Sequence, residues 1–270
     1  MVREAFKKDI SNMNASNQNS VSLNKYISST GMCSRREADK IIKENRVTIN
    51  NVNAKLGMRV FDGDTVKIDG QPIKSKTQTL YIAFNKPVGI VCTTDSKEPK
   101  NIIDYINHPQ RLFPVGRLDK PSQGLIFLTN DGDIVNKILR AGNNHEKEYI
   151  VTVDKKVNQK FIKNMSQGVQ ILGTVTKKCK VEPIDKNTFK ITLTQGLNRQ
   201  IRRMCKHLGY KVLRLQRIRI MNITIEGLKP GEWREFSLQE ITQLQKLIKN
   251  SSKTEEASKL PKAMKKKRRR

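Results

Sequence analysis

Residues 114–133 read PVGRLDKPSQGLIFLTNDGD, and the reading of this stretch decides the fold of the larger part of the chain. Leu125 to Thr129 is an apolar run of strand length, closed by the turn formers Asn130, Asp131 and Gly132. Just ahead of it, Gly116-Arg117-Leu118-Asp119 falls in a turn held by Pro121 and Gly124. A carboxylate therefore stands on a loop beside a rigid strand. Taken alone, an aspartate in such a loop is more often a turn or cap residue, because its side chain bonds readily to nearby backbone amides. Arg117, two residues away, is either its ion-pair partner or simply exposed.

Outward from this stretch, residues 79–250 form one large unit. LYIAFNKPVGIVCT (80–93) predicts an apolar strand, a Lys-Pro-x-Gly turn and a second strand, since Pro87 and Gly89 break any helix. KEYIVTV (147–153), NTFKITLTQG (187–196) and RIRIMNITI (217–225) alternate apolar and polar residues with the period of half-buried strands. Three helices are expected. Residues 133–140 place Ile134, Val135, Ile138 and Leu139 on one side, and 198–208 do the same with Ile201, Met204, Cys205 and Leu208. The third, 238–248, follows a Ser237/Glu240 capping box. An antiparallel-rich mixed sheet flanked by helices is an α+β arrangement, not a βαβ array.

Residues 21–76 form a smaller unit. Ser34 and Glu37 have capping-box spacing, and Ala38, Ile41 and Ile42 make an apolar stripe, so a helix is expected over 35–44. Arg36, Lys40 and Lys43 project together from its other face. Val47-Thr48-Ile49, Val66-Lys67-Ile68 and the Asp62-Gly63 and Asp69-Gly70 turns predict short antiparallel strands behind it. LNKYISSTGMCSRREADKIIKENRVTINN (23–51) resembles the S4 (αL) RNA-binding module, and that resemblance implies contact with structured RNA through Arg35, Arg36 and Lys40, with Lys43 on the same helix.

The charge balance fits such a partner. Across 270 residues, 53 Lys and Arg stand against 25 Asp and Glu, a formal net charge of +28, which points to a polyanion. With 36% hydrophobic residues a core can be built, and no apolar run approaches the ~20 residues of a membrane-spanning helix. The N-terminal residues lack the apolar stretch of about 7–15 residues found in a secretory signal, so a cytoplasmic protein with no membrane partner is expected. Cys33, Cys92, Cys179 and Cys205 lie far apart, with no C-x-x-C pair and no histidine at a ligand-like interval. They read as small buried hydrophobes, and neither a metal site nor thiol chemistry is expected. Residues 1–20, rich in Asn and Ser, read as a disordered extension, and 251–270, ending KKKRRR, as a disordered basic tail. That tail is either a phosphate-capturing arm or a solvated end.

A basic protein that modifies a nucleotide without metal or cofactor needs a nucleophile or acid–base group, a platform for the base and a cation to control that group. Asp119, Tyr149 and the 198–208 helix with Arg199, Arg202 and Arg203 offer one of each. Each also has a plainer reading: Tyr149 as sheet packing, Arg202 as a phosphate or surface contact.

Four segments in order, NKPVG (85–89), GRLDKPSQGLIFLTNDG (116–132), KEYIVTV (147–153) and GLNRQIRRMCKHLG (196–209), resemble the signatures of the RNA pseudouridine synthases of the RsuA/RluB/E/F group. RAGNNHEKEY (140–149), GVQILGTVTKKCKV (168–181) and the basic C-terminus are most similar to the large-subunit, F-type branch, which acts on 23S ribosomal RNA and is associated also with a tRNA anticodon uridine. The resemblance implies a cofactor-free isomerase with Asp119 as catalytic aspartate, Tyr149 stacked on the target uracil and Arg202 paired with Asp119. It also implies a dry pocket with Leu118 and Leu197 in its wall. Arg117, Lys177, Lys178, Arg199 and Arg203 are expected to join the S4-like helix in binding RNA. No protein partner is expected, and a monomer is the default. Two other classes compete: a catalytically silent RNA-binding ribosome-assembly factor on the same scaffold, and a basic DNA-binding regulator, for which no recognition-helix pair is visible.

Overall fold

The computed structural model describes residues 20–73 and 78–251. The expected N-terminal extension and basic tail lie outside the described residues, except for Ser20 and Ser251. The chain divides into two compact units, residues 1–78 and 79–270.

In the first unit, strand β1 (Val21–Ser22) leads into helices α1 (Leu23–Ser29) and α2 (Arg35–Lys43). The capping box on α2 forms as expected: Glu37 N donates to Ser34 Oγ at 3.1 Å, and Ser34 N donates to Glu37 Oε2 at 2.6 Å. Strands β2 (Val47–Ile49), β3 (Val52–Asn53), β4 (Arg59–Val60), β5 (Val66–Ile68) and β6 (Gln71–Pro72) follow. The four-stranded sheet runs β3-β2-β5-β6, and β1 pairs with β4, all antiparallel. Leu23, Ile27, Ala38, Ile42, Val47, Val60 and Val66 fill the core between helices and sheet. Arg35, Arg36, Lys40 and Lys43 are all exposed on α2.

The second unit opens with β7 (Tyr81–Lys86), α3 (Ile102–Ile106), β8 (Phe113–Val115), β9 (Gln123–Thr129), α4 (Gly132–Leu139) and β10 (Lys147–Val153). It continues through α5 (Gln159–Ser166), the β11 (Gln170–Ile171) and β12 (Thr174–Val175) hairpin, β13 (Lys180–Asp185), β14 (Thr188–Leu193) and α6 (Gln200–His207). Strands β15 (Val212–Ile220), β16 (Ile223–Thr224) and β17 (Trp233–Glu235) and helix α7 (Leu238–Ile248) complete it. Among the described residues the main sheet has nine strands in the order β13-β14-β10-β15-β9-β7-β17, with β16 on β15 and β8 on β9. The β9–β15 contact is parallel, and the other pairings are antiparallel. This is a mixed, mostly antiparallel α+β sheet.

Strand β9 is buried on both faces, as a central strand should be. Its Ile126 and Leu128 join a core with Ile102, Phe161, Met165, Ile201 and Met204, whereas Leu125 and Phe127 join a second core with Ile134, Ile138, Leu244 and Ile248. The period of two along one strand thus feeds two layers of helices.

Four expectations change in this unit. No second strand follows the Lys-Pro-x-Gly turn; Val91 makes only an isolated bridge to Asn101. The Ile90 carbonyl instead accepts from the Lys86 ammonium at 2.9 Å, so the chain turns around a buried cation. The strand expected over 217–225 starts earlier, at Val212, and breaks into a hairpin where Met221 takes a φ of 53°. Helices α3 and α5 were not expected; each is capped by an asparagine, Asn101 Oδ1 accepting from Ile103 N and Asp104 N and Asn158 Oδ1 from Phe161 N. Strand β13 was not expected either, and its outer face is almost wholly exposed.

Candidate active site

The loop between β8 and β9 carries Gly116, Arg117, Leu118 and Asp119, and three contacts fix it. Leu118 N donates to Cys92 Sγ at 3.3 Å, Gly89 N donates to Lys120 O at 2.9 Å, and Ser122 N donates to Asp119 O at 2.9 Å. The Lys-Pro-x-Gly turn is therefore a bracket for the aspartate loop. Lys86 is wholly buried beneath it, donating to Pro87 O at 2.8 Å as well as to Ile90 O. Burial pushes the Lys86 ammonium below its ordinary pKa, while Cys92 and Asp119 pull it back.

Gly124 explains how the loop meets the sheet. At this residue, with φ 114°, an added Cβ would lie 2.2 Å from the Arg217 carbonyl oxygen. Only glycine lets β9 approach β15 this closely, and the approach brings residues 119–122 against β15 and α6.

Arg202, on α6, closes the arrangement. Its Nε lies 3.8 Å from Asp119 Oδ2. Its Nη2 donates to Pro121 O at 3.2 Å and Ser122 Oγ at 3.0 Å, and its Nη1 donates to Val212 O at 3.4 Å. One guanidinium thus ties the aspartate loop, α6 and the start of β15 together. Burial draws Arg202 below its usual pKa and Asp119 opposes that shift, so the pair is an ion pair in a partly dry place. The Asp119 side chain keeps 32% exposure and lines a cavity.

Asp119, Tyr149 and Arg202 line one cavity of about 360 Å³, together with Leu118, Leu197, Arg117, Arg199, Lys147, Gln195 and Arg217. That volume lies within the ~300–1,000 Å³ of ordinary small-ligand pockets. Tyr149 is buried in mid-strand on β10, directly across from Arg217 on β15. Leu118 is buried and Leu197 packs partly buried against the same core, so both stand in the wall as expected. Arg117 is exposed at the rim; the ion-pair partner of Asp119 is Arg202.

The remaining expected RNA contacts fall in different settings. Arg199 caps α6 at a left-handed φ of 49° and opens onto the cavity. Arg203 folds back to donate to Asn198 O and Oδ1. The Lys177 ammonium is held by Ala141 O and Asn144 Oδ1, both at 2.9 Å, so it braces a loop and is not an open cation, whereas Lys178 is exposed. Two of the four cysteines fit the plain reading, Cys92 and Cys205 being buried, with burial pushing the Cys205 thiol up to about 12, whereas Cys33 and Cys179 are only partly buried.

Sequence reasoning missed Lys86, Ser122, Lys147, Gln195 and Arg217. Lys86 and Lys147 sat inside quoted motifs without a role. Arg217 was hidden by a register shift between Glu148 and Tyr149, which turns Arg217 inward where plain alternation points Ile218 inward.

Comparison with known proteins settles the family. Residues 80–207 match the RNA pseudouridylate synthase family and residues 21–66 match the S4 domain. The chain is 59% identical over 235 residues to the dual-specificity RNA pseudouridine synthase RluF of Escherichia coli (strain K12), covering 86% of this chain and 81% of that protein. The chain belongs to the RNA pseudouridine synthases. It is 32% identical to ribosomal large subunit pseudouridine synthase B of Bacillus subtilis (strain 168), over 83% of this chain and 96% of the relative. A crystal structure of a pseudouridylate synthase superposes with a TM-score of 0.61 at 29% identity, covering 83% of this chain and 99% of the other. The fold and the enzyme class expected from sequence agree with these findings, and nothing among them favours the silent scaffold or the DNA-binding regulator. No helix among the described residues is long and apolar enough to cross a membrane.

Proposed function

We propose that this pseudouridine synthase isomerises a uridine of 23S ribosomal RNA, with a tRNA anticodon uridine as a second substrate, and that Asp119, Tyr149 and Arg202 carry the reaction. The observation that carries the reading is the Asp119–Arg202 ion pair opening onto the cavity that Tyr149 lines. The names of two relatives support the targets: one is called dual-specificity, the other a ribosomal large subunit enzyme.

The chemistry sets the division of labour. Uridine and pseudouridine have the same atoms, so no redox partner enters; the N1–C1′ bond must break, the freed ring must turn, and C5 must join C1′. Asp119 initiates cleavage. Arg202 does not react; it fixes the carboxylate and the loop that bears it. Tyr149 presents a ring face to the uracil and a phenol near the proton that leaves C5. Buried Leu118 and its neighbour Leu197 limit water that would otherwise trap the opened sugar.

A uridine stacked in a helix cannot enter such a cavity, so the nucleotide is extruded, at a cost of a few kcal/mol that contacts to the RNA backbone offset. The exposed cations on α2, with Arg117, Lys178 and Arg199, supply those contacts without reading sequence. The enzyme acts as a cytoplasmic monomer in this reading, where nascent ribosomal RNA is found.

The test is pseudouridine mapping at single-nucleotide resolution in 23S RNA and tRNA from cells carrying the native gene, an Asp119→Asn allele or no gene. Asp119→Asn should match the deletion at every affected site while binding the RNA within several-fold of native. Modification by the Asp119→Asn protein would overturn the assignment.

A further inference from the structure

The cavity wall also carries positive charge that the roles above leave unused. Lys147, the first residue of β10, is 6% exposed, and Arg217 on the adjacent strand is 4% exposed. Neither is in an ion pair among the described residues. The Lys147 ammonium makes one hydrogen bond, to His145 O at 3.2 Å. Arg217 Nε donates to Leu125 O at 2.6 Å, but its Nη2 is buried without a partner. Gln195, 2% exposed, spends its carbonyl on Lys177 N and leaves its Nε2 buried without a partner. All three side chains line the cavity with Asp119 and Tyr149.

Such an arrangement is expensive in an empty protein. A buried cation with one carbonyl contact and no carboxylate recovers only part of its lost hydration, and two neighbouring cations repel. Burial, then repulsion from Arg217, lowers the Lys147 pKa to about 8. Donors with no acceptor, held in place before the reaction, are what a site needs where negative charge develops.

We propose that Lys147, together with Arg217 and Gln195, receives the negative charge of the uracil ring when its bond to the ribose breaks. The inference rests on the reading that Asp119 initiates that cleavage. The N1–C1′ bonding pair leaves with the base, so the ring becomes an anion with charge spread over N1, O2 and O4. The sugar is quenched either by a new bond from Asp119 to C1′ or by loss of its C2′ proton to that carboxylate; the ring charge is the same in both. The ring then turns and C5 supplies the pair for the C5–C1′ bond as Asp119 leaves C1′ with its own pair or, in the other branch, returns the proton to C2′; C5 then loses its proton, and N1 gains one. Lys147, Arg217 and Gln195 hold the detached ring by its oxygens during the turn, while the Tyr149 face restrains it from the side.

The test compares native enzyme, Lys147→Met and Lys147→Arg in single turnovers on a 23S stem-loop with uridine or 5-fluorouridine at the target. Fluorine withdraws electrons and makes the ring a better leaving group, so it needs less help. Lys147→Met should slow cleavage of the uridine substrate by about 100-fold and should slow the fluorinated one far less, as expected when a charge-stabilising donor is lost. RNA affinity should stay within about threefold, a free-energy change under 1 kcal/mol. Equal slowing on both substrates, or a loss confined to affinity as for a phosphate contact, overturns the proposal.

The second readout is pH. Arg217 faces the ammonium from β15; His145, held below its ordinary pKa by burial and by the ammonium itself, lies two residues before it, Tyr149 two residues after, and Asp119, Arg117, Arg199 and Arg202 line the same cavity. If the charged amine is needed, native kcat/KM falls as pH rises through about 8, and Lys147→Arg, which stays charged, carries that limb upward. A limb that stays in place in Lys147→Arg overturns the proposal even if Lys147→Met does not fold. Failure of the parent reading looks different: native enzyme would then form no pseudouridine on the uridine stem-loop, or Asp119→Asn would still form it.

Discussion

The cations of α2 and those at or beneath the cavity carry the same charge in opposite surroundings. On α2, Arg35, Arg36, Lys40 and Lys43 stand in solvent on a helix whose other face packs Ala38 and Ile42 into the core. Lys40 has a loose i,i+4 contact to Glu44 at 4.0 Å, an interaction of little consequence at such exposure. Lys86, Arg202 and Arg217 instead are placed by hydrogen bonds to named carbonyls of neighbouring loops and strands. The first set is solvent-exposed and screened by salt, and in the proposed function it contributes to affinity one phosphate at a time. The second set is fixed in geometry, and each member holds a loop or a strand in place. Net charge reports the first kind and says nothing of the second.

The sharpest break in that comparison is expected at Arg202. Arg202→Met should lower kcat by about 100-fold or more, because the aspartate loop loses its clamp, with KM for RNA nearly unchanged. Arg202→Lys should not rescue it, since one ammonium cannot reach Asp119, Ser122, Pro121 and Val212 at once. A defect in KM alone would move Arg202 into the RNA-binding set. The Arg36→Glu, Lys40→Glu, Lys43→Glu triple variant should behave in the opposite way. Its binding should weaken, and the slope of log K against log salt should become shallower by about 2–3. Its kcat at saturating RNA should match native, and a matching fall in kcat would erase the distinction between the two sets. The smallest effect belongs to Ser34→Ala, which removes the α2 cap at a cost of about 1 kcal/mol. Faster hydrogen exchange of the α2 amides in the full chain is the measurement, and unchanged exchange would show that packing alone holds the helix.

How much of this was legible in the sequence follows from range of interaction. Caps are local, so the Ser34 and Ser237 boxes and the helices they start could be read directly, and the apolar alternation of 147–153 gave β10 at its observed bounds. Asp119, Tyr149 and Arg202 were readable as types of residue in motifs, but their meeting in one cavity depends on contacts across up to 83 positions of chain, from 119 to 202. Arg217 was misplaced because a bulge is a two-strand event and leaves no mark on one strand. The turn at Met221 was missed for a related reason: its positive φ sits on a residue that seldom adopts one. Lys177 looked like an open cation because nothing in its neighbourhood announces that Ala141 and Asn144 will be there to accept from it.

The parallel pairing of β9 and β15 spans only Gln123–Gln216 and Gly124–Arg217. Each flank of the sheet therefore keeps its own antiparallel ladder, and the two are stitched at a short seam. Loop 116–122 emerges at that seam, so the aspartate is carried at the joint between the two ladders. A slip of one flank against the other is therefore felt at that carboxylate before it reaches the outer strands.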